Sequence, residues 1–324
     1  MKLELEIENW PLREPFVTAR DVMTEITTLT AVLTDGNTQG RGEALGVMYL
    51  AETAETMSSQ IRAVQRNIEA GIDSGELQEL LRPGGARNAI DCALWDLKAK
   101  RDGFRVSDIF APEARPVTTV YTLSLAPAER MAADARQHAD CPVLKVKLDP
   151  KQATQKIRAI RDARPDAAIV IDANGSWSLP LLGELEDVLV ENRIDMVEQP
   201  LPMGQDGGLE GFEYAVTLCA DESCQSSADL EYCAARYSMI NIKLDKCGGL
   251  TEAMRMVNWC RTNGMELMVG NMLGTSLAMA PAMIPAQFCR FVDLDGPLFQ
   301  VKDREHALTY RGAVIDLPDP RLWG

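Results

Sequence analysis

Apolar and polar residues alternate from the first positions of the chain. Lys2, Leu3, Glu4, Leu5, Glu6, Ile7 and Glu8 read as a half-buried antiparallel strand with one wet face. A second run, Ile26 to Leu33, meets Asp35-Gly36, a hairpin signal, and returns through Gly40-Arg41-Gly42-Glu43-Ala44. Pro15 to Glu25, between the first two strands, is expected to be a polar loop. Helical spacing then takes over. Met57, Ile61, Val64 and Ile68 form one stripe, and Ala89, Ala93, Leu94 and Leu97 form another that Gly103 can stop. Residues 1–112 therefore read as an α+β module, punctuated at its end by Pro112 and Pro116.

From Val117 the pattern changes to short apolar runs alternating with amphipathic helical segments, as a parallel sheet requires. Successive runs end at Ser124, Lys147, Asp172, Glu198, Asp221, Lys243, Asn271 and the Asp293-Leu294-Asp295 turn, each about one strand-helix unit after the last. Eight such ends predict an α/β fold with a TIM-like barrel over residues 113–300. The segment 301–324, with strand-like Ala307 to Tyr310 and Ala313 to Leu317, is expected to return to the first module.

Composition narrows the function classes. A chain of 324 residues with 46% hydrophobic residues is ordinary globular protein. The formal charge of -15 repels phosphate backbones and anionic lipid, which argues against nucleic acid and membrane surfaces as partners. The eight cysteines show no C-x-x-C pair and read as buried thiols of a reducing compartment. The first residues open into a strand pattern rather than a charged-then-apolar leader, and no apolar run reaches about 18 residues, so a cytoplasmic location is expected. With only His138 and His306 in the chain, acid-base chemistry falls to other residues.

Those residues are at the strand ends. Strand alternation in Leu144-Lys145-Val146-Lys147-Leu148 sends two ammonium groups to one face and three apolar groups to the other. In a barrel, the second and sixth strands lie opposite each other, so Lys147 and Lys243 would face each other across a common cavity. Asp172, Glu198 and Asp221 come from the three strands between, a set of hard oxygen ligands that suits Mg²⁺. Proton abstraction α to a carboxylate builds charge on an already charged group. A Mg²⁺ on the carboxylate oxygens, with Lys145 nearby, would stabilise the resulting ene-diolate. One lysine would remove the proton and the other return it from the opposite face, giving the epimer.

The set Lys145-Val146-Lys147, Val170-Ile171-Asp172-Ala173-Asn174, Val197-Glu198-Gln199-Pro200, Ala220-Asp221-Glu222-Ser223 and Asn241-Ile242-Lys243 resembles the muconate lactonizing subgroup of the enolase superfamily. Asp293-Leu294-Asp295 looks like the mark of its dipeptide epimerases, and the resemblance extends over nearly all of residues 1–300. It implies a capping α+β domain on a modified (β/α)7β barrel. It also implies Mg²⁺ held by Asp172, Glu198 and Asp221, Lys147 and Lys243 as the acid-base pair, and Lys145 as electrostatic support. Asp293 and Asp295 would hold the ammonium of a dipeptide, Arg20 in the cap loop would meet the side-chain carboxylate of its C-terminal Glu, and Ser124 would contact the peptide. The implied reaction is epimerisation at the α-carbon of the C-terminal residue, with L-Ala-D/L-Glu as substrate and murein-peptide metabolism as its setting. A homo-oligomer is left open. The sequence departs from the family pattern at Gly46 to Leu50 and at Asn271 to Gly274, where substrate identity is set.

Each signal has a plainer reading. A Lys-x-Lys strand is most often a solvated face, and Asp172, Asp221 and the Asp293-Asp295 pair could serve turns. Their joint occurrence on consecutive units opposes those readings. The alternatives are another reaction of the same subgroup (cycloisomerase, o-succinylbenzoate synthase or N-acylamino acid racemase), a Schiff-base aldolase, and a catalytically silent barrel. The aldolase leaves the three carboxylates without a role, and the intact lysines oppose the silent barrel.

Overall fold

The computed structural model describes residues 1–18 and 21–324. The first three strands, β1 (Lys2–Val17), β2 (Val22–Asp35) and β3 (Thr38–Ala44), form an antiparallel sheet in the order β1-β2-β3. Its inner face packs Leu3, Leu29, Ala31 and Leu33 against Met57, Ile61, Ile68, Ala89, Ala93 and Leu97 of the following helices. The long helix Gly85–Asp102 lies directly on β3, because Gly40 and Gly42 present no side chain there. A Cβ at Gly40 would sit 2.3 Å from the Ala93 carbonyl oxygen and the Leu97 amide nitrogen. That helix ends at Gly103, whose φ of 74° provides the left-handed C-cap the sequence signalled.

Two local expectations are revised. The predicted loop 15–25 is shorter, because the strands resume after a register break beyond Pro11 and pair Phe16 with Met23 and Val17 with Val22. Burial of Phe16 against Phe299 gives the extension an apolar reason. The stripe from Met57 to Ile68 breaks at Val64 into the helices Ala54–Ala63 and Gln65–Gly71, yet Met57, Ile61 and Ile68 all stay buried.

The remaining strands are β4 (Val117–Thr118), β5 (Tyr121–Leu123), β6 (Val143–Lys147), β7 (Ala168–Asp172), β8 (Met196–Glu198), β9 (Thr217–Ala220), β10 (Met239–Lys243), β11 (Glu266–Gly270), β12 (Phe291–Val292), β13 (Tyr310–Arg311) and β14 (Val314–Ile315). Strands β5 to β12 form one parallel eight-stranded sheet in sequential order. The Val120 amide donates to the Val292 carbonyl at 2.7 Å and the Thr122 amide to Asp295 Oδ2 at 2.8 Å, which brings the two edges together as a barrel. The fold is thus the α/β barrel with an N-terminal cap that the sequence predicted. One crossover differs. Between β8 and β9 the described chain holds only the single 3₁₀ turn Gly207–Leu209, in a segment broken by Pro200, Pro202 and several glycines.

The apolar run predicted to end at Ser124 divides into two strands. Its first part, β4, leaves the barrel and joins the tail as a sheet in the order β13-β14-β4. The chain end then reaches the helix Gly85–Asp102, where Trp323 Nε1 donates to the Cys92 carbonyl at 3.0 Å and the Gly324 amide to Asp96 at 2.7 Å.

Inside the barrel, Val120, Val143, Val170, Met196, Cys219, Met239, Met268 and Phe291 form an apolar floor. The residues between them in sequence, such as Leu144, Val146, Ile169, Ile171, Leu218, Ile240 and Ile242, face the helices. Alternation then dictates that the next inward residues, one step nearer the C-terminal strand ends, are Lys145, Asp172, Glu198, Asp221 and Asn241.

Candidate active site

Lys145 stands directly above the floor and is 1% exposed. Its Nζ lies 2.7 Å from Asp293, 2.7 Å from Glu198 and 3.1 Å from Asp172. Burial works against this ammonium, but Asp293, Glu198 and Asp172 outweigh it and hold its pKa well above the ordinary value. Lys147, two residues on, reaches one carboxylate among the described residues, Asp172 at 2.6 Å. Lys243 lies four strands away on β10 and donates to Asp221 Oδ2 at 2.7 Å. Burial opposes its charge as well, and Asp221 followed by Glu198 reverses that and raises its pKa.

The three carboxylates from β7, β8 and the end of β9 are almost wholly buried. Against the cost of burial, Lys147 and then Lys145 hold Asp172 below the carboxylate range, while Lys243 and Lys246 do the same for Asp221. Glu198 goes the other way: burial, followed by Asp172 beside it, pushes it up to about 8. The pocket therefore holds more carboxyl groups than ammonium groups, and Glu198 carries the excess. Its Oε1 accepts from Asn241 Nδ2 at 2.6 Å, whereas Oε2 touches Lys145 without an aligned hydrogen bond.

This donor set fits a hard divalent cation: anionic oxygens on adjacent strand ends, a further carboxyl group whose ionisation a cation would favour, and an oxygen with lone pairs to spare. Among the described residues, no three acidic, histidine or cysteine side chains converge on one point as they stand. The lysines bridge the space between the carboxylates.

At the end of β12, Asp293 and Asp295 are 4% and 2% exposed. Asn271 Nδ2 donates to the Asp293 carbonyl at 2.6 Å, and Lys145 donates to its side chain. Burial, and then Asp293 next to it, pushes Asp295 up to about 8. The cavity bounded by these groups is also lined by Phe16, Met23, Met48, Tyr49, Thr122 and Met272. From β5 it takes in Thr122; Ser124, the residue expected there, is half-buried beyond the strand and outside the described lining. Arg20 lies outside the described residues.

Sequence reasoning missed two neighbours of Lys243. Lys246 Nζ donates to Asp221 Oδ1 at 2.7 Å and to the Asn241 carbonyl at 3.0 Å, so Asp221 is held between two ammonium groups. Asp245 Oδ1 accepts from the amides of Leu45 and Gly46 at 3.0 and 2.9 Å, hanging the second cap loop from the barrel. Both lie on the short helix Leu244–Cys247, and no periodicity shows which way so short a helix turns its side chains.

Residues 2–110 match the mandelate racemase / muconate lactonizing enzyme N-terminal domain, and residues 128–320 match the enolase C-terminal domain-like family. The chain belongs to the enolase superfamily. Within the superfamily it falls in the muconate lactonizing subgroup and is an isomerase acting on amino acid derivatives. It is 39% identical over 315 residues to the L-Ala-D/L-Glu epimerase of Escherichia coli, covering 96% of this chain and 98% of that protein. It is 37% identical to an N-acetyl-D-glutamate racemase of a Pseudoalteromonas species, covering 91% and 95%. A solved enolase-family protein of Agrobacterium tumefaciens with homology to dipeptide epimerases, holding sodium and L-Ala-L-Glu with an ordered loop, superposes with a TM-score of 0.97, 41% identity and 99% coverage of both chains. Related enzymes of the superfamily use Mg²⁺: a dipeptide epimerase of Methylococcus capsulatus, 29% identical, with a TM-score of 0.89 over 100% and 99% of the two chains, is solved with Mg and L-Arg-D-Lys. Among the described residues no helix is long and apolar enough to cross a membrane.

Proposed function

We propose that this enzyme epimerises dipeptides at the α-carbon of the C-terminal residue, with L-Ala-D/L-Glu as the foremost substrate. The observation that carries the reading is the placement of Lys147 and Lys243 on β6 and β10, four strands apart, with the carboxylates of β7, β8 and β9 between them and Asp293 and Asp295 at the next strand end but one. The substrate carboxylate would lie over Asp172, Glu198 and Asp221, and the ammonium against Asp293 and Asp295. Mg²⁺ held by Asp172, Glu198 and Asp221 would supply positive charge against the developing enediolate. Lys145, fixed by three carboxylates, adds a permanent positive charge beneath it. One of Lys147 and Lys243, as the neutral amine, takes the α-proton; the other, as the ammonium, delivers one to the opposite face. The cap residues Phe16, Met23, Met48 and Tyr49 exclude water from the mouth. Arg20, entering from the cap loop, would read the second side chain through paired hydrogen bonds to a carboxylate.

The test is kcat/KM for L-Ala-L-Glu and L-Ala-L-Leu in wild type and Arg20→Met. A loss of about thirtyfold for the Glu dipeptide, on the order of 2 kcal/mol, and far less for the Leu dipeptide is expected. Equal losses would end the assignment of Arg20.

A second reading, racemisation of N-acyl amino acids, has one observation in its favour. Asp295, pushed up to about 8, is protonated near neutrality and can donate to an acyl carbonyl as readily as it can later accept from an ammonium.

A further inference from the structure

Along β11 the inward positions fall on Met268, part of the apolar floor, and Gly270. Gly270 pairs in register with Lys243 on β10, so the strand beside the lysine offers no side chain at that level. A glycine inside a strand marks a close approach. Here the approaching groups belong to the site. A Cβ on Gly270 would stand 2.8 Å from both Asn241 Nδ2 and Asn241 Oδ1, and 3.0 Å from Lys243 Cε. Asn241 is fully buried, and its Nδ2 is tied to Glu198 Oε1 at 2.6 Å. The end of the lysine chain is the more flexible partner, so a methyl group at position 270, besides pressing on Asn241, would push on Lys243 Cε and swing its ammonium away from Asp221 Oδ2. Lys147 stands four strands away, and its ion pair with Asp172 involves neither Gly270 nor Asn241.

We propose that Gly270 is a positioning residue for one half of the reaction: the empty space above its Cα seats the amine of Lys243, and leaves that of Lys147 untouched. The inference rests on the two-base reading, in which each lysine exchanges the α-proton of one epimer. The bond broken is Cα–H, its electron pair stays in the enediolate, and the proton goes to the lysine amine. A shift of about 1 Å in a reacting group costs up to about a hundredfold. The end of the Lys243 chain would have to give by a few tenths of an ångström, so Gly270→Ala should lower exchange at Lys243 by about threefold to tenfold and leave exchange at Lys147 within about twofold.

The experiment follows α-proton exchange of L-Ala-L-Glu and L-Ala-D-Glu separately in D₂O with the Mg²⁺-loaded enzyme. Lys147→Ala and Lys243→Ala identify which epimer each lysine serves. In Gly270→Ala, selective loss for the epimer served by Lys243 supports the inference. Equal losses for both epimers, or none for either, overturn it. If Gly270→Ala does not fold, the same comparison is made between Asn241→Ala and Asn241→Ala/Gly270→Ala, in which the nearer clash is gone and the one with Lys243 Cε remains. If Lys243→Ala keeps exchange of both epimers, the two-base reading has failed and the role of Gly270 falls with it, a result distinct from equal losses in Gly270→Ala.

Discussion

Replacing Asp295 with Asn separates the two substrates that the relatives suggest. The amide keeps the shape, and its carbonyl can still accept the Thr122 amide that now reaches Asp295 Oδ2 at 2.8 Å, so the barrel seam survives. What disappears is a carboxyl group 2% exposed to water that can become an anion beside a bound ammonium. A charge-assisted hydrogen bond from an ammonium to such a group contributes about 2–3 kcal/mol, so kcat/KM for L-Ala-L-Glu should fall roughly 30- to 150-fold. N-acetyl-L-glutamate has no ammonium and should lose less than about threefold. The pH dependence gives an independent check. Because Asp295 sits at about 8, it is protonated below that pH and gains its charge as pH rises through it. The α-ammonium of a dipeptide loses its charge near the same pH, about 8. Turnover of the dipeptide at low substrate should therefore peak near pH 8, and the acidic limb should be shallower in the Asn variant, which keeps only the part set by the lysines and Glu198. Equal losses for the two substrates, or an unchanged acidic limb, would refute placement of the ammonium at Asp295.

Lys147→Ala and Lys243→Ala should each reduce epimerisation by about 10²–10⁴ in both directions, since each direction uses one base and one acid; polarimetry on both epimers checks this. Adding Mg²⁺ to chelated protein should raise Tm and release protons near pH 7, because Glu198 at about 8 must ionise to bind; Glu198→Gln should release fewer, and an unchanged proton yield would contradict the assignment. Burial pushes Asp245 up to about 7, above its unfolded value of about 3.9, so the native state holds a proton that the unfolded chain has lost. Between about pH 4 and 7 the stability of chelated wild type should therefore decline relative to Asp245→Asn by about 2–4 kcal/mol, then stay level above pH 7; urea unfolding across that range measures it.

Which face a residue occupies was legible in the sequence, whereas its depth was not. Period-two alternation put Lys145 and Lys147 on the same side, and both are inward. Only the assembled barrel shows that Lys145 lies low enough to touch carboxylates from three strands while Lys147 reaches one. The carboxylates of β7, β8 and β9 were readable because each ends an apolar run, where alternation and strand end coincide. Ser124 was assigned by the same count, but β5 is only three residues long and Thr122 is the residue joined to Asp295. Lys246 and Asp245 follow a strand, where neither strand nor helix periodicity applies. Gly270 gave no signal, because what it contributes is space.

The layering of the barrel also explains how so many buried charges coexist with a stable fold. The floor from Val120 to Phe291 is apolar and closed, so barrel interior packing does not depend on the ionic layer above it. Within that layer the cost of burying each carboxylate is offset locally: Asp172 by Lys147 and Lys145, Asp221 by Lys243 and Lys246. Removing one partner of a buried pair leaves the other uncompensated, which costs about 3–5 kcal/mol. Lys145, whose single ammonium neutralises contacts from Asp172, Glu198 and Asp293, is thus the residue whose loss strands the most charge. Glu198, already favouring its protonated form, is the one whose conversion to a neutral amide strands the least. The residue that costs the fold least to neutralise is the one that the proposed Mg²⁺ would require to ionise, so the proposed metal position falls where the protein's own lysines leave a carboxyl group uncompensated.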